Sequence, residues 1–320
     1  MTRKILPCAL CAVVLLVIYR PASAVIVAGD YKNLPGNVNQ TAGSTPSGFN
    51  YWPSVGIYGS GAAVYLGNDW AITAKHLSSP TTTIGGIVYT VDSTVTLQNP
   101  NDLSVPLAAR GQNTDLQLIH LQIDGLHPSP SVATPVIASS SPSQTDYLLS
   151  IGRGRGRGVA TRTFNSTFSG TTPAVYTGYD LTTGQTMRWG DNLVSSASTT
   201  WTAFGAGGTP PYVAEFRADY TQFGGQHNEF QLTPGDSGGG VFRQVGGLWE
   251  LTGLNLATGT FASQNAFTQS AFGNVSYMAD LSIYRDQIMS IVPEPSSFVL
   301  AGFAIAGSLV GVIRRRRSVR

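Results

Sequence analysis

The chain has 320 residues, 42% of them hydrophobic and 11% charged, with a formal net charge of +2 and two cysteines. The positive balance sits at the two ends. Residues 25–292 carry 11 Lys plus Arg against 16 Asp plus Glu, so this body is near −5 and gives no compositional reason to bind nucleic acid. Cys8 and Cys11 both precede residue 25, so the body can form neither a disulfide nor a thiolate metal site.

In chain order, the first 24 residues have the pattern of an export signal. Arg3 and Lys4 supply the positive start, residues 5–19 the apolar stretch, and Ala22-Ser23-Ala24 a small-residue cleavage site ahead of Val25. The 268 residues that follow are rich in Gly, Thr, Ser and Val and almost lack amphipathic helical periodicity, which predicts an all-β body. Short strands are predicted at 54–58, 62–66, 70–74, 86–91, 93–97 and 115–121. A Pro/Ser-rich connector at 127–144 places a boundary near 145, giving a first unit over 25–145 and a second over 146–291. The second series includes strands at 147–151, 239–242 and 249–256, with strands on long loops between 160 and 228. Leu281, Tyr284, Ile288 and Ile291 share one helical face behind Asp280 as N-cap, so a helix closes the body. Two strand series, a connector and a terminal helix predict paired β-barrels. The run GRGRGRG at 152–158 has no aromatic residue to stack on bases and reads as a basic surface loop.

The stretch TPGDSGGGVF at 233–242 decides the chemistry. It lacks the lysine of a phosphate-binding loop, and no helical pattern follows it. Gly235-Asp236-Ser237-Gly238-Gly239 also fits Gly-x-Ser-x-Gly, but that nucleophile turn needs a histidine after the serine. All four histidines, at 76, 120, 127 and 227, precede Ser237. A base from upstream is the arrangement still open. His76 ends the strand DWAITAKHL and Asp115 opens DLQLIHL, so the order His76, Asp115, Ser237 supplies base, orienting carboxylate and nucleophile. Asp102 and Asp124 are the competing carboxylates, whereas His120, His127 and His227 lack any motif.

The blocks ITAKH, TDLQLI and GDSGGGVF, in that order, resemble the catalytic blocks of the trypsin-like (chymotrypsin-fold) serine peptidases, and the likeness extends over about 51–291. The resemblance implies an all-β fold of two six-stranded antiparallel β-barrels with a C-terminal helix. It implies a serine-type endopeptidase working through His76, Asp115 and Ser237, with the N–H groups of Gly235 and Ser237 as the oxyanion hole. Counting back from the serine puts Gln231 at the base of the specificity pocket and Thr258 on its opposite wall. No metal or other cofactor is implied, and the partner is a protein or peptide substrate. The alternative is a catalytically inactive relative serving as a surface or matrix-binding module. In many members the residue matching Asp236 pairs with a new N-terminus, and IVAG at 26–29 resembles such a terminus. Three positions depart from the family pattern: Lys75, Leu77 and Gly240.

The last 29 residues, 292–320, form a separate segment. VPEP is followed by 16 apolar or small residues at 298–313 and then by Arg314, Arg315, Arg316 and Arg317. The apolar run is just short of the roughly 17–25 residues of a usual membrane span, and the arginines are expected on the cytoplasmic side. This order resembles the PEP-CTERM sorting tail of Gram-negative bacteria. It implies export, transient anchoring in the inner membrane, processing by an exosortase-type enzyme, and a final place at the cell surface or outside it.

Overall fold

The computed structural model describes residues 26–27, 45–166, 174–203, 211–222, 226, 228–261 and 264–292. The strands are β1 (Ile26–Val27), β2 (Val55–Tyr58), β3 (Gly61–Gly67), β4 (Trp70–Ala74), β5 (Thr81–Ile84), β6 (Ile87–Gln98), β7 (Asn113–Leu121), β8 (Val136–Ile137) and β9 (Tyr147–Gly152). They continue with β10 (Arg155–Ser166), β11 (Ala174–Gln185), β12 (Arg188–Leu193), β13 (Ser196–Ala203), β14 (Tyr212–Asp219) and β15 (Phe230–Gln231). The last four are β16 (Gly240–Val245), β17 (Leu248–Gly259), β18 (Gln269–Ala271) and β19 (Val275–Asp280).

The first series closes into a six-stranded antiparallel barrel, β2-β3-β4-β7-β6-β5, sealed where Ile57 and Tyr58 of β2 pair with Thr83 and Thr82 of β5. Val64, Ile72, Leu97, Leu116 and Leu118 are buried in it, and full burial of each such side chain contributes about 1.5–3 kcal/mol. The stretches at 86–91 and 93–97 are one strand, β6, and not two. A register shift between Val91 and Ser93 bends the strand around the barrel without breaking it.

The second half departs from the expected second six-stranded barrel. Its main sheet runs β12-β9-β16-β17-β19-β14-β13, with β8 added in parallel to β17. The two edge strands, β12 and β13, are consecutive in the chain, so the sheet curls until its ends meet at Val194 and Ser195. A ladder does not close that gap. The Asn192 amide donates instead to the carbonyls of Asp219 and Phe230, both at 3.0 Å. The result is a curled half-barrel. β10 and β11 form a hairpin extended by β18, and β1 pairs with β15.

One core joins the halves. Phe49 packs edge-on against Phe242 and Trp249 at 5.0 and 5.4 Å between ring centroids. At the C-terminal end, Asp280 caps a 3-10 turn, Leu281–Tyr284, by accepting from Ser282 N at 3.0 Å, and helix α1 (Arg285–Ile291) follows. The Tyr284 hydroxyl donates to Asn99 Oδ1 at 2.8 Å and accepts from Ala214 N at 2.9 Å, tying this corner to both halves. No helix among the described residues is long and apolar enough to cross a membrane, and the run 298–313 lies outside them.

Candidate active site

β4 delivers His76 to the barrel rim, and β7, its antiparallel neighbour, delivers Asp115. The backbone fixes their separation, because Lys75 N donates to the Asp115 carbonyl at 3.0 Å. The Asp115 carboxylate then holds His76 twice. Oδ1 accepts from the His76 backbone N–H at 2.8 Å, and Oδ2 lies 2.6 Å from Nδ1. Asp115 is nearly buried while the imidazole is 44% exposed, so the pair points outward from a fixed base. An ionised carboxylate only accepts, so Nδ1–H is the donor in this contact, and in a neutral imidazole that leaves the lone pair on Nε2.

The competing carboxylates are occupied elsewhere. Asp102 accepts from Ser104 N and Oγ, and Asp124 from the backbone of Leu126 and His127 and the His127 ring, each in an exposed turn. His120 pairs with Asp92 at 2.7 Å on the barrel exterior. His227 lies outside the described residues.

Ser237 approaches from the other half. Its carbonyl accepts from Ala62 N at 2.9 Å, so the nucleophile loop is pinned to β3 of the barrel. Its hydroxyl donates to the Leu256 carbonyl at 3.3 Å. Gly238 N donates to the Asn255 carbonyl at 2.9 Å, and Asn255 N returns a bond to Gly239 O at 2.8 Å, which fixes the turn against β17. Ser237, Gly235 and His76 line one cleft of about 590 Å³, with Leu256, Ala257 and Thr258 along one wall. Among the described residues, the Gly235 and Ser237 N–H groups have no protein acceptor. Two such donors beside a serine can stabilise a negative oxygen. Gly235 has φ +102°, a conformation that favours glycine, and a Cβ there would collide with the Gln185 amide.

The two specificity residues separate. Thr258 lines the cleft, and its hydroxyl donates to the Leu232 carbonyl at 2.8 Å. Gln231 is buried outside the cleft lining, where its amide oxygen accepts from the Ser270 hydroxyl and its backbone pairs with Ile26. Asp236 is also buried. Oδ1 accepts from Gly154 N at 2.6 Å, and Oδ2 from Thr233 N at 2.7 Å and its hydroxyl at 3.0 Å. A Cβ on Gly152 or Gly154 would strike this carboxylate. Arg188, opposite Gly152 across the β9–β12 ladder, is fully buried. Burial pulls its pKa down to about 9, against the attraction of Asp236, and Arg157 lowers it further. Val25 and 28–44 lie outside the described residues.

The three departures have local accounts. Lys75 is exposed. Leu77 is buried and packs close to Gly61. Gly240 sits where a side chain would crowd Val64 and Phe242. The reading of 152–158 as a surface loop needs correction. Residues 155–158 begin β10, Arg157 is buried with its guanidinium 4.4 Å over the Tyr179 ring, and Arg155 lines the cleft. The period-two alternation after LLSIG was the missed signal, since a strand sends its arginines to one face and its glycines to the other. Gln185 was missed as well. It bridges the halves by donating to Ser60 O at 3.0 Å and accepting from Arg153 at 3.2 Å.

Residues 292–317 match the family model described as the PEP-CTERM protein-sorting motif. The chain therefore carries a sorting motif of exported Gram-negative proteins, a kind read by exosortase-type machinery. No curated protein matches the sequence. Among solved structures, the chain is similar to neuropsin, a serine protease expressed in the limbic system of mouse brain, at 15% identity and a TM-score of 0.40. That match covers 72% of this chain and 87% of the other. Nothing about activity follows from a likeness of that size.

Proposed function

We propose that the chain is an exported serine endopeptidase that hydrolyses peptide bonds through an acyl-enzyme on Ser237. The observation that carries this reading is His76, held twice by Asp115 and lining the same cleft as Ser237. A serine hydroxyl is a weak nucleophile until a base takes its proton. In this account the His76 Nε2 accepts the Ser237 proton and later returns it to the leaving amine. Asp115 holds the tautomer and stabilises the imidazolium. The N–H groups of Gly235 and Ser237 receive the oxyanion. No step calls for a metal or other cofactor.

Residues 1–24 are removed as a signal peptide. The apolar run 298–313 holds the protein in the inner membrane until an exosortase-type enzyme processes the tail, and the body then resides at the cell surface or beyond it.

A second reading, an inactive relative that binds a surface or matrix, is favoured by one observation: the Ser237 hydroxyl donates to the Leu256 carbonyl. At 3.3 Å this bond is weak, and catalytic hydrogen bonds often tighten only when substrate is present. Incubating the full-length protein with a quenched-fluorescent peptide library separates the two. Hydrolysis that disappears in Ser237→Ala supports the peptidase. Equal hydrolysis by both proteins contradicts the Ser237 mechanism, and no hydrolysis by a folded wild type supports the binding module.

A further inference from the structure

The proposed reaction leaves Arg155 without a task, although the fold builds it into the cleft. Its backbone is bonded to the nucleophile loop: Arg155 N donates to the Pro234 carbonyl at 3.2 Å, and the Thr233 hydroxyl shares its one proton between the Arg155 carbonyl at 2.9 Å and Asp236 at 3.0 Å. Its side chain crosses to the facing wall, where Nη1 donates to the Phe267 carbonyl at 2.7 Å. That bond uses one of the five N–H donors of a guanidinium. Arg162, Arg217 and Arg243 each have a carboxylate partner, in Asp180, Glu215 and Asp146. Among the described residues, no carboxylate lies within ion-pair distance of Arg155.

The rest of the cleft matches that charge. Among the described residues it is lined by no Asp or Glu, and apart from His76 the one charged side chain in that lining is Arg155. Thr183 adds a hydroxyl nearby. In a body with 11 Lys plus Arg and 16 Asp plus Glu over 25–292, Arg155 places a guanidinium without a carboxylate partner in the cleft lining, where an anionic side chain of a ligand can reach it. Gln231 is out of reach of a ligand there, because it is buried against Ser270.

We infer that the cleft selects acidic peptides, seating an Asp or Glu side chain beside the scissile bond, and that Arg155 is the residue that determines this preference. The inference rests on the peptidase reading. A guanidinium fork accepts a carboxylate through two parallel bonds, which a neutral amide of the same shape cannot reproduce.

The test uses the full-length wild type, Arg155→Gln and Arg155→Glu, each checked for folding by its thermal transition. Peptides that differ only by Glu or Gln, and by Lys, at each position around the cleavage site are compared by kcat/KM. The expected wild-type preference for Glu over Gln at one position is about ten- to a hundredfold. It should shrink at high salt, fall toward unity in Arg155→Gln, and pass to Lys in Arg155→Glu. Cleavage without any Glu-over-Gln preference would overturn the inference while leaving the peptidase reading intact. A preference that survives Arg155→Gln would overturn the assignment to Arg155. Absence of cleavage by folded wild type would overturn the peptidase reading and this inference with it.

Discussion

One carboxylate, Asp115, holds His76 by both backbone and ring, at 2.8 Å to the amide N and 2.6 Å to Nδ1. The geometry follows from β4–β7 pairing, which brings the end of one strand against the start of the other. Asp115→Asn can keep the backbone bond through its amide oxygen while turning an N–H donor toward the ring. The tautomer then reverses and Nε2 carries the proton. We expect kcat to fall by about 10⁴ at neutral pH with KM little changed. Steady-state hydrolysis of an activated ester would measure both.

Gly235 combines a positive φ with the Gln185 amide against its α-carbon, so Gly235→Ala strains the loop in two ways. Displacing its N–H should lower kcat by about 10²–10³, and the backbone strain should cost about 1–3 kcal/mol of stability. Kinetics and urea unfolding on the same preparation would read the two effects. A kcat loss with stability unchanged would mean that the loop relaxes without strain.

Arg188 and Asp236 lie together behind the nucleophile loop, both buried. Arg188→Met removes the positive member and leaves a buried carboxylate facing Gly154 and Thr233. Losing a buried counter-charge should destabilise the fold, by less than the roughly 3–5 kcal/mol of a directly bonded buried pair. Adding Asp236→Asn should recover part of that loss, and thermal unfolding of the single and double variants would show whether it does.

Glu229 predicts a pH dependence of stability. Burial raises its pKa to about 7 from 4.5, Asp191 and Asp219 push the same way, and bonds from Thr221 hold it back. Its folded-state value is the higher one, so its contribution is full below about 4.5 and is lost as pH rises through about 7. The loss is on the order of 2–3 kcal/mol. The difference in urea midpoint between wild type and Glu229→Gln should therefore change across pH 4.5 to 7 and be flat below it.

Much of this was legible in local pattern. Strand β6 alternates visibly, whereas β3 and β4 are buried on both faces; Asp280 announces its turn because an N-cap needs only the next two residues. The sequence puts His76 at the end of one strand and Asp115 at the start of another; in the structure β4 ends at Ala74, two residues before His76, and β7 begins at Asn113, two residues before Asp115. What escaped the sequence depends on distant partners. Whether the second sheet closes turns on Asn192 reaching Asp219 and Phe230, 27 and 38 residues away. Asp236 favours the charge of the buried Arg188, and Gln231 is held outside the cleft lining by its bond from Ser270. The Arg-Gly alternation carried a strand signal, but its charge density read as surface. Only the pairing of β10 with β11 turns Arg157 onto Tyr179.

The central claim is that His76 activates Ser237. Treating the full-length protein with a fluorophosphonate and mapping the adduct by peptide mass spectrometry tests it most directly. The account predicts one adduct, on Ser237, lost in Ser237→Ala and slowed at least a thousandfold, to order of magnitude, in His76→Ala. Folded wild type that stays unlabelled, or labelling at Ser237 that ignores the loss of His76, would contradict it.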